Sequence, residues 1–521
     1  MKLVTAAQMQ AIEQSSVEAG VSLDTLMENA GLSVAEWVRA SFDEDSGIFG
    51  RRVVILIGPG NNGSDGFVVG RHLASWGANV TAILCADRKA QDPKRELAEV
   101  VGVSVFDGTS EDGLELLIST LHSTDLVVDA VLGTGASRPI TEPLTSLLFA
   151  VLKSEIPVAA LDLPTGLNSD TGELDIAGLP ADFTLMLGYT KIGPALAGDP
   201  STTGDISELD IGIPAGLDSQ VDVELLTPDL AASLYPERPF AAHKGTFGSN
   251  LIIGGSKQYL GAVSMATDAA TRSGNGLTFV ATPEPAYNRI AGAIPEAVYS
   301  SLPVSSENSE VTPTTAARIA LDLAARSNSV VIGPGLGNNP STSEFLSIFL
   351  SQMNPATPLV LDADALNILS GSHKWWDRLE NPAVLTPHSG EMSRLLGISI
   401  QEVQEDRKST VLEAAKKFGK IVVLKGASTL IAAPDGRLAV SPWVNSGLAK
   451  GGSGDVLAGL IGGLLAQSSD ESFAMSSLGV FVHGYAADIA SRELGETGMR
   501  ATDVSERLGA FYRDYVQSDS Q

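Results

Sequence analysis

Residues 51–66 read RRVVILIGPGNNGSDG, an aliphatic run over 53–57 that passes straight into Gly58-Pro59-Gly60-Asn61-Asn62-Gly63-Ser64-Asp65-Gly66. The run is continuous rather than alternating, which is how a strand buried on both faces of a parallel sheet reads. The turn after it opens a helix, so its backbone amides converge as they do in a nucleotide-phosphate cradle. It is not the GxGxxG fingerprint. Its glycines stand at 58, 60, 63 and 66 with Asn, Asn and Asp between them, and these side-chain oxygens point to a cation or a hydroxylated ligand. A tight loop with no ligand would use the same glycines.

The same grammar recurs on either side. Runs at 78–86, 124–133, 156–166 and 181–188 end in glycine or aspartate, and helical spacing over 67–76 and 111–121 separates some of them. Repeated β-α units of this kind predict a doubly wound α/β domain, with ligands beyond the carboxyl ends of its strands. A second series at 249–256, 276–282, 328–337, 357–366, 382–391 and 420–429 again runs into polar or glycine-rich turns, and 301–313 reads as a flexible surface loop. No unit of 20 to 50 residues repeats, so two α/β domains are expected rather than a solenoid.

Charge and punctuation place the boundary. Residues 1–224 carry 12 Lys+Arg against 33 Asp+Glu, while the remainder carries 22 against 29. Pro214, Pro228, Pro236 and Pro239 fall where the two halves join and are expected to interrupt regular elements there, as in a linker. The expected domains are 1–220 and 221–521, a proline-rich excursion inside one large domain being the alternative.

The formal net charge of −28 argues against duplex nucleic acid or an acidic lipid surface as partner, so any phosphate must be held locally. A composition 44% hydrophobic and 18% charged is that of a globular chain rather than a disordered one. The single cysteine, Cys85, excludes an internal disulfide framework and a multi-cysteine metal cluster. Glu13 stands where a signal peptide would need its apolar stretch, and the apolar run 456–466 is too short to span a bilayer, so a soluble cytoplasmic protein is expected.

Three strand ends in the first half offer oxygen donors: Asn62, Asp129 and Thr165, with Asp162 as a further carboxylate. Too few are charged for a dedicated divalent site, and a monovalent cation fits better; aspartates at strand ends also serve as plain caps. In the second half, Gly451-Gly452-Ser453-Gly454-Asp455 precedes an apolar helical stretch. Its amides and helix dipole suit a transferring phosphoryl group, and Asp455 suits a base that takes a hydroxyl proton, or a simple N-cap. Lys425-Gly426-Ala427-Ser428-Thr429 offers a cation and hydroxyls to a nucleotide tail, and His388 in TPHSGE ends another strand as ligand or as structural residue. No HxxH or clustered His/Cys pattern calls for zinc.

Leu26-Met27-Glu28-Asn29-Ala30-Gly31, GPGNNGSDG, DAVLGTG at 129–135, DLPTGLNSDTG at 162–172 and Lys191 in GYTKIG together resemble the NAD(P)H-hydrate epimerase domain, over about residues 1–215. That resemblance implies a Rossmann-like domain that interconverts the R and S forms of hydrated NADH or NADPH with a bound potassium ion. It places the hydrated cofactor on Asn61, Asn62, Gly63, Ser64, Asp65, Gly133, Thr134, Gly135, Ala136, Ser137, Arg138, Pro139 and Asp162, and potassium at Asn62, Asp129 and Thr165. Asp162 would handle protons with Lys191 close by. Ser64 departs from the glycine usual there and is expected to point a side chain near the ligand.

HKGTFGSNLIIGGS at 243–256, GPGLG at 333–337, LDADALN at 361–367, LTPHSGEMSRLLG at 385–397, LKGAST at 424–429 and GGSGDVLAG at 451–459 resemble the ADP- or ATP-dependent NAD(P)H-hydrate dehydratase domain, over about 225–515. The resemblance implies a ribokinase-like fold, hydrate contacts at Ala262, Gly335, His388 and Asp455, and nucleotide contacts at Lys425, Gly426, Ala427, Ser428, Thr429 and Gly454. ADP or ATP, with Mg2+, would be the co-substrate and Asp455 the base, and a homo-oligomer is expected. The whole chain thus resembles the bifunctional NAD(P)H-hydrate repair enzymes. The rivals are a hydroxymethylpyrimidine- or sugar-type kinase fused to a ligand-binding domain, and a non-catalytic nucleotide-sensing scaffold.

Overall fold

The computed structural model describes residues 1–42, 47–88, 91–135, 138–307 and 309–517. The chain divides into two compact units, Met1–Val223 and Glu224–Gln521. Among the described residues no helix is long and apolar enough to cross a membrane.

The first unit is built on a seven-stranded sheet of β1 (Arg52–Ile57), β2 (Asn79–Leu84), β3 (Ser104–Asp107), β4 (Leu126–Ala130), β5 (Val158–Leu161), β6 (Phe183–Leu187) and β7 (Asp205–Leu209). Their spatial order is 3-2-1-4-5-6-7 and every pairing is parallel. Successive residues of β1 enter opposite layers: Val53, Ile55 and Ile57 join one core cluster, Val54 and Leu56 the other. This two-sided burial explains its unbroken aliphatic run. The chain reverses direction across the sheet between β1 and β4, the switch point where doubly wound sheets leave a crevice. A short separate ribbon pairs Leu3–Val4 with Thr190–Lys191, in register Val4 with Lys191.

The second unit carries a ten-stranded sheet: β8 (Val223–Leu225), β9 (Ser249–Ile253), β10 (Leu277–Pro283), β11 (Ala297–Leu302), β12 (Ser329–Ile332), β13 (Leu359–Leu361), β14 (Ala383–Leu385), β15 (Ile421–Leu424), β16 (Leu430–Ala432) and β17 (Leu438–Val440). The order is 8-17-16-15-14-13-12-9-10-11. The run from β15 to β11 is parallel, whereas β15, β16 and β17 form an antiparallel meander. Here the switch point lies between β9 and β12. Against this sheet the buried helix Ser453–Leu465 packs on Leu260–Arg272 through glycine. A Cβ on Gly459 would stand 2.0 Å from the Ala266 carbonyl oxygen, and one on Gly463 would stand 2.1 Å from Ser273 Oγ.

The proline-rich join differs from the expectation. Val223–Leu225 is a strand, and Pro228 opens the helix Pro228–Ser233 behind a Thr227 cap instead of breaking an element. Proline at the first helical position loses no intrahelical bond. Residues 301–307 and 309–313 hold more regular structure than expected, because β11 runs to a buried Leu302 and an antiparallel bridge joins Val304 to Val311.

Candidate functional site

In the first unit, a cavity of about 460 Å³ opens beyond the carboxyl ends of β1, β4 and β5, lined by Glu13, Asn61, Asn62, Asp65, Gly133, Thr134, Gly135, Asp162 and Lys191, with Met9 and Met27 as apolar wall. Gly58 lets the β1 turn close on the β4 turn, since a Cβ there would lie 1.8 Å from the Val131 carbonyl oxygen. Gly60 caps the helix Asn61–Ser75 without a side-chain bond, which among the described residues leaves its first amides open to a ligand.

Asp162 holds a φ of +70° at the end of β5, a conformation uncommon outside glycine. Its Oδ1 accepts from Lys191 Nζ and from the Leu187 amide at 3.2 Å, and Lys191 also donates to the Leu187 carbonyl at 2.9 Å. Lys191 is 1% exposed. Burial, then Asp162 and Glu13, push the Asp65 carboxyl well above the usual range. Glu13 is raised by burial and by Asp162, with Lys191 pulling the other way. Lys191 is paired directly with Asp162, and the raised carboxyls of Asp65 and Glu13 beside them keep protons available to a bound ligand.

Asp129 is fully buried and accepts from the Thr165 amide and hydroxyl, both at 2.7 Å, and from the Val131 amide at 3.2 Å. Burial lifts it to about 6 in spite of those bonds. No cationic side chain pairs with it among the described residues. Asn62 is placed against Gly133, whose Cβ position lies 3.4 Å from Asn62 Oδ1 and 3.5 Å from Asp162 Oδ2, and Asn62 Nδ2 is buried without a partner among the described residues. The Asp129 carboxylate, the Thr165 hydroxyl and Asn62 Oδ1 are hard oxygens of the kind a monovalent cation takes, whereas Asn62 Nδ2 is a donor and calls for an acceptor. Among the described residues no group of three His, Cys, Asp or Glu could hold a metal.

The remaining loop residues are less uniform. Ser64 does not point toward the ligand space: its Oγ accepts from Arg88 Nη2 at 2.9 Å. Arg88 also donates to the carbonyls of Gly58 and Gly60 and is paired with Asp92 at 2.6 Å, so it laces the glycine turn shut from behind. Gly63 is buried in that lacing, its Cβ position 2.5 Å from Arg88 Nη1. Arg138 and Pro139 are exposed and do not line the cavity, whereas Ala136 and Ser137 lie outside the described residues.

In the second unit the polar turns after β12, β13, β14 and β15 converge. Lys425 Nζ lies 2.8 Å from Asp362 Oδ1 and 3.9 Å from Glu391 Oε2, and a Cβ on Gly454 would sit 3.1 Å from it. Lys425 therefore faces the start of the helix Ser453–Leu465 rather than its own turn. Burial opposes its charge, but Asp362, Glu391 and Asp455 outweigh this and raise its pKa. Asp455, in the first turn of that helix, is pushed up to about 7 by burial and by Asp362, with Lys425 restraining it. Glu391 reaches about 7, chiefly through burial.

His388 caps the helix Ser389–Leu396: Nδ1 accepts the Gly390 amide at 3.0 Å, and the His388 amide donates to Glu391 at 2.9 Å. Burial and then Lys425 lower the pKa of the imidazole, and with Nδ1 accepting from the Gly390 amide the proton of the neutral ring falls to Nε2. Gly335, at φ +61°, abuts Ala262, whose Cβ lies 3.0 Å from its own Cβ position. The same loop reaches Asp364 through the Gly337 amide at 2.8 Å. In the turn 425–429, Ser428 is buried at φ +47° and the Thr429 hydroxyl is spent on the Gly426 carbonyl at 3.1 Å. Asp362, Glu391, Glu13 and Arg88 are additions to the residues singled out from sequence. The first two stand inside the motifs LDADALN and TPHSGE, where the place of Asp362 just past a strand and of Glu391 in the first turn of the next helix was the available signal.

Two doubly wound units, each with carboxylates of raised pKa at the carboxyl ends of its strands, define a two-part α/β enzyme. Residues 23–193 match the family described as YjeF-related protein N-terminus, and 250–509 the family described as NAD(P)H-hydrate dehydratase. The chain is 36% identical to the bifunctional NAD(P)H-hydrate repair enzyme of Moorella thermoacetica, over 99% of this chain and 97% of that one. It is 33% identical to that of Escherichia coli over 94% and 89%. A solved structure, the ADP/ATP-dependent NAD(P)H-hydrate dehydratase from Bacillus subtilis co-crystallized with ATP/Mg2+, is 30% identical and covers 56% of this chain and 99% of its own, with TM-score 0.48. The chain belongs to the family of bifunctional NAD(P)H-hydrate repair enzymes.

Proposed function

We propose that residues 1–220 interconvert the R and S forms of hydrated NADH and NADPH, and that residues 221–521 dehydrate the S form at the expense of ADP or ATP. The observation that carries this reading is Asp455, a carboxyl held near neutrality at a glycine-rich helix start beside Lys425. Hydroxide leaves a ring carbon poorly, whereas phosphate leaves readily. Asp455 takes the proton of the ring hydroxyl as its oxygen attacks the terminal phosphorus of the nucleotide, and the bond to the departing nucleotide breaks, AMP leaving when ADP is used. The ring C–O bond then breaks with loss of phosphate and of a neighbouring proton. Amides of Gly451, Gly452 and Gly454 and the positive end of the helix dipole would steady the transferring phosphoryl group, and Lys425 would add a charge. Mg2+ would arrive on the nucleotide's own phosphates.

In the first half, Asp162 and Lys191 would exchange protons with the hydrate, and Asn61, Asn62, Asp65 and the turn 133–135 would hold it. Asn62, Asp129 and Thr165 would hold potassium, which when bound supplies positive charge next to the ligand's phosphates. The test is to supply the S hydrate with ADP or ATP and quantify the products. NADH with inorganic phosphate and the shortened nucleotide supports the reading. A stable phosphorylated product would instead mark a small-molecule kinase.

A further inference from the structure

Arg407 begins the helix Arg407–Phe418, yet its side chain lies against the turn 425–429. Nη1 donates to the Ala427 carbonyl, and Nη2 to the Leu424 carbonyl at 3.3 Å. The fit depends on glycine: Gly426 holds a φ of +154°, and a Cβ there would stand 2.8 Å from Nη2. Burial lowers the pKa of the guanidinium, and no carboxylate pairs with it among the described residues. In a chain with 62 Asp+Glu against 34 Lys+Arg, acidic partners are plentiful, so a partly buried cation without one is set aside for an anion from outside. Holding such a charge unpaired is costly, and a phosphate would relieve the cost.

We infer that Arg407 is a nucleotide-contacting residue whose guanidinium meets a phosphate of the nucleoside diphosphate bound at the turn 425–429. The inference rests on the reading of the second half as a nucleotide-dependent dehydratase. A planar fork with donors to spare suits phosphate oxygens, and the two carbonyl bonds hold it in orientation before the nucleotide arrives.

The test compares ADP and adenosine binding to the full chain by calorimetry, in wild type, Arg407→Met and Arg407→Lys, with the melting transition of the second unit as the control for folding. Arg407→Met is expected to weaken ADP roughly 10- to 100-fold and leave adenosine unchanged, with Arg407→Lys recovering part of the loss. Unchanged ADP affinity overturns the assignment. Parallel loss of ADP and adenosine also overturns it, because that pattern marks a residue that only shapes the turn. A wild-type chain that binds neither overturns the nucleotide reading and this assignment together. Arg407→Lys, which keeps the charge and most of the packing, carries the same comparison if methionine prevents folding.

Discussion

A carboxylate that removes a hydroxyl proton works best with a pKa close to the working pH, and Asp455 stands at about 7. Asp455→Asn is expected to lower dehydration ~10²- to 10⁴-fold and to leave epimerisation intact; near wild-type dehydration by this variant removes Asp455 from the mechanism. The ionised form is the base, so wild-type dehydration should fall as pH drops through about 7. A turnover number that does not change with pH in that region contradicts the assignment. In the other unit, Asp129 titrates at about 6 and a cation needs its ionised form, so potassium affinity should decline below about that pH. Titrating a hydrated-cofactor analogue in potassium and again in a large organic cation separates this from a purely structural Asp129. Indifference of wild type to the cation defeats the metal assignment, whatever Asp129→Ala does to the melting temperature.

Among the elements, the helix Ser453–Leu465 owes its place to glycines that admit the backbone of Leu260–Arg272. Gly459→Ala forces a methyl into the Ala266 carbonyl and should destabilise the second unit by about 1–3 kcal/mol. The lower melting transition and lost dehydration would appear without loss of epimerisation, and an unchanged melt means that the helices separate freely. The apolar helix was legible beforehand but its packing through glycine was not, because close backbone approach leaves no hydrophobic signature. The central strands were legible since burial on both faces demands unbroken aliphatic runs. Edge strands such as β3, Ser-Val-Phe-Asp, and β7, Asp-Ile-Ser-Glu-Leu, were missed because they are partly exposed and carry polar residues. The helix Asn61–Ser75 begins before the expected 67. Gly63 and Gly66 lower its propensity, but a Cβ on Gly66 would stand 2.7 Å from Ala130 Cβ, so packing decides. At the sites, residues on strand-end turns were readable. Glu13, Arg88 and Arg407 arrive from other elements and acquire meaning only through contact.

At the scale of the molecule, the cut between halves is set by which core each residue joins. Val221 belongs to the first core and accepts Lys2 Nζ on its carbonyl at 2.9 Å, whereas β8 starts at Val223 in the second sheet. Fragments 1–222 and 223–521 should therefore each melt cooperatively and retain one activity; failure of both to melt cooperatively refutes the division. The central claim, two activities acting in series on one damaged cofactor, is tested most directly by one time course. Mixed R and S hydrated NADH is incubated with ADP or ATP, and the absorbance of NADH is followed for wild type and for Asp162→Asn. The account predicts that wild type converts both epimers to NADH and that Asp162→Asn stops once the S form is consumed. No NADH from wild type, or complete conversion by Asp162→Asn at the wild-type rate, would contradict it.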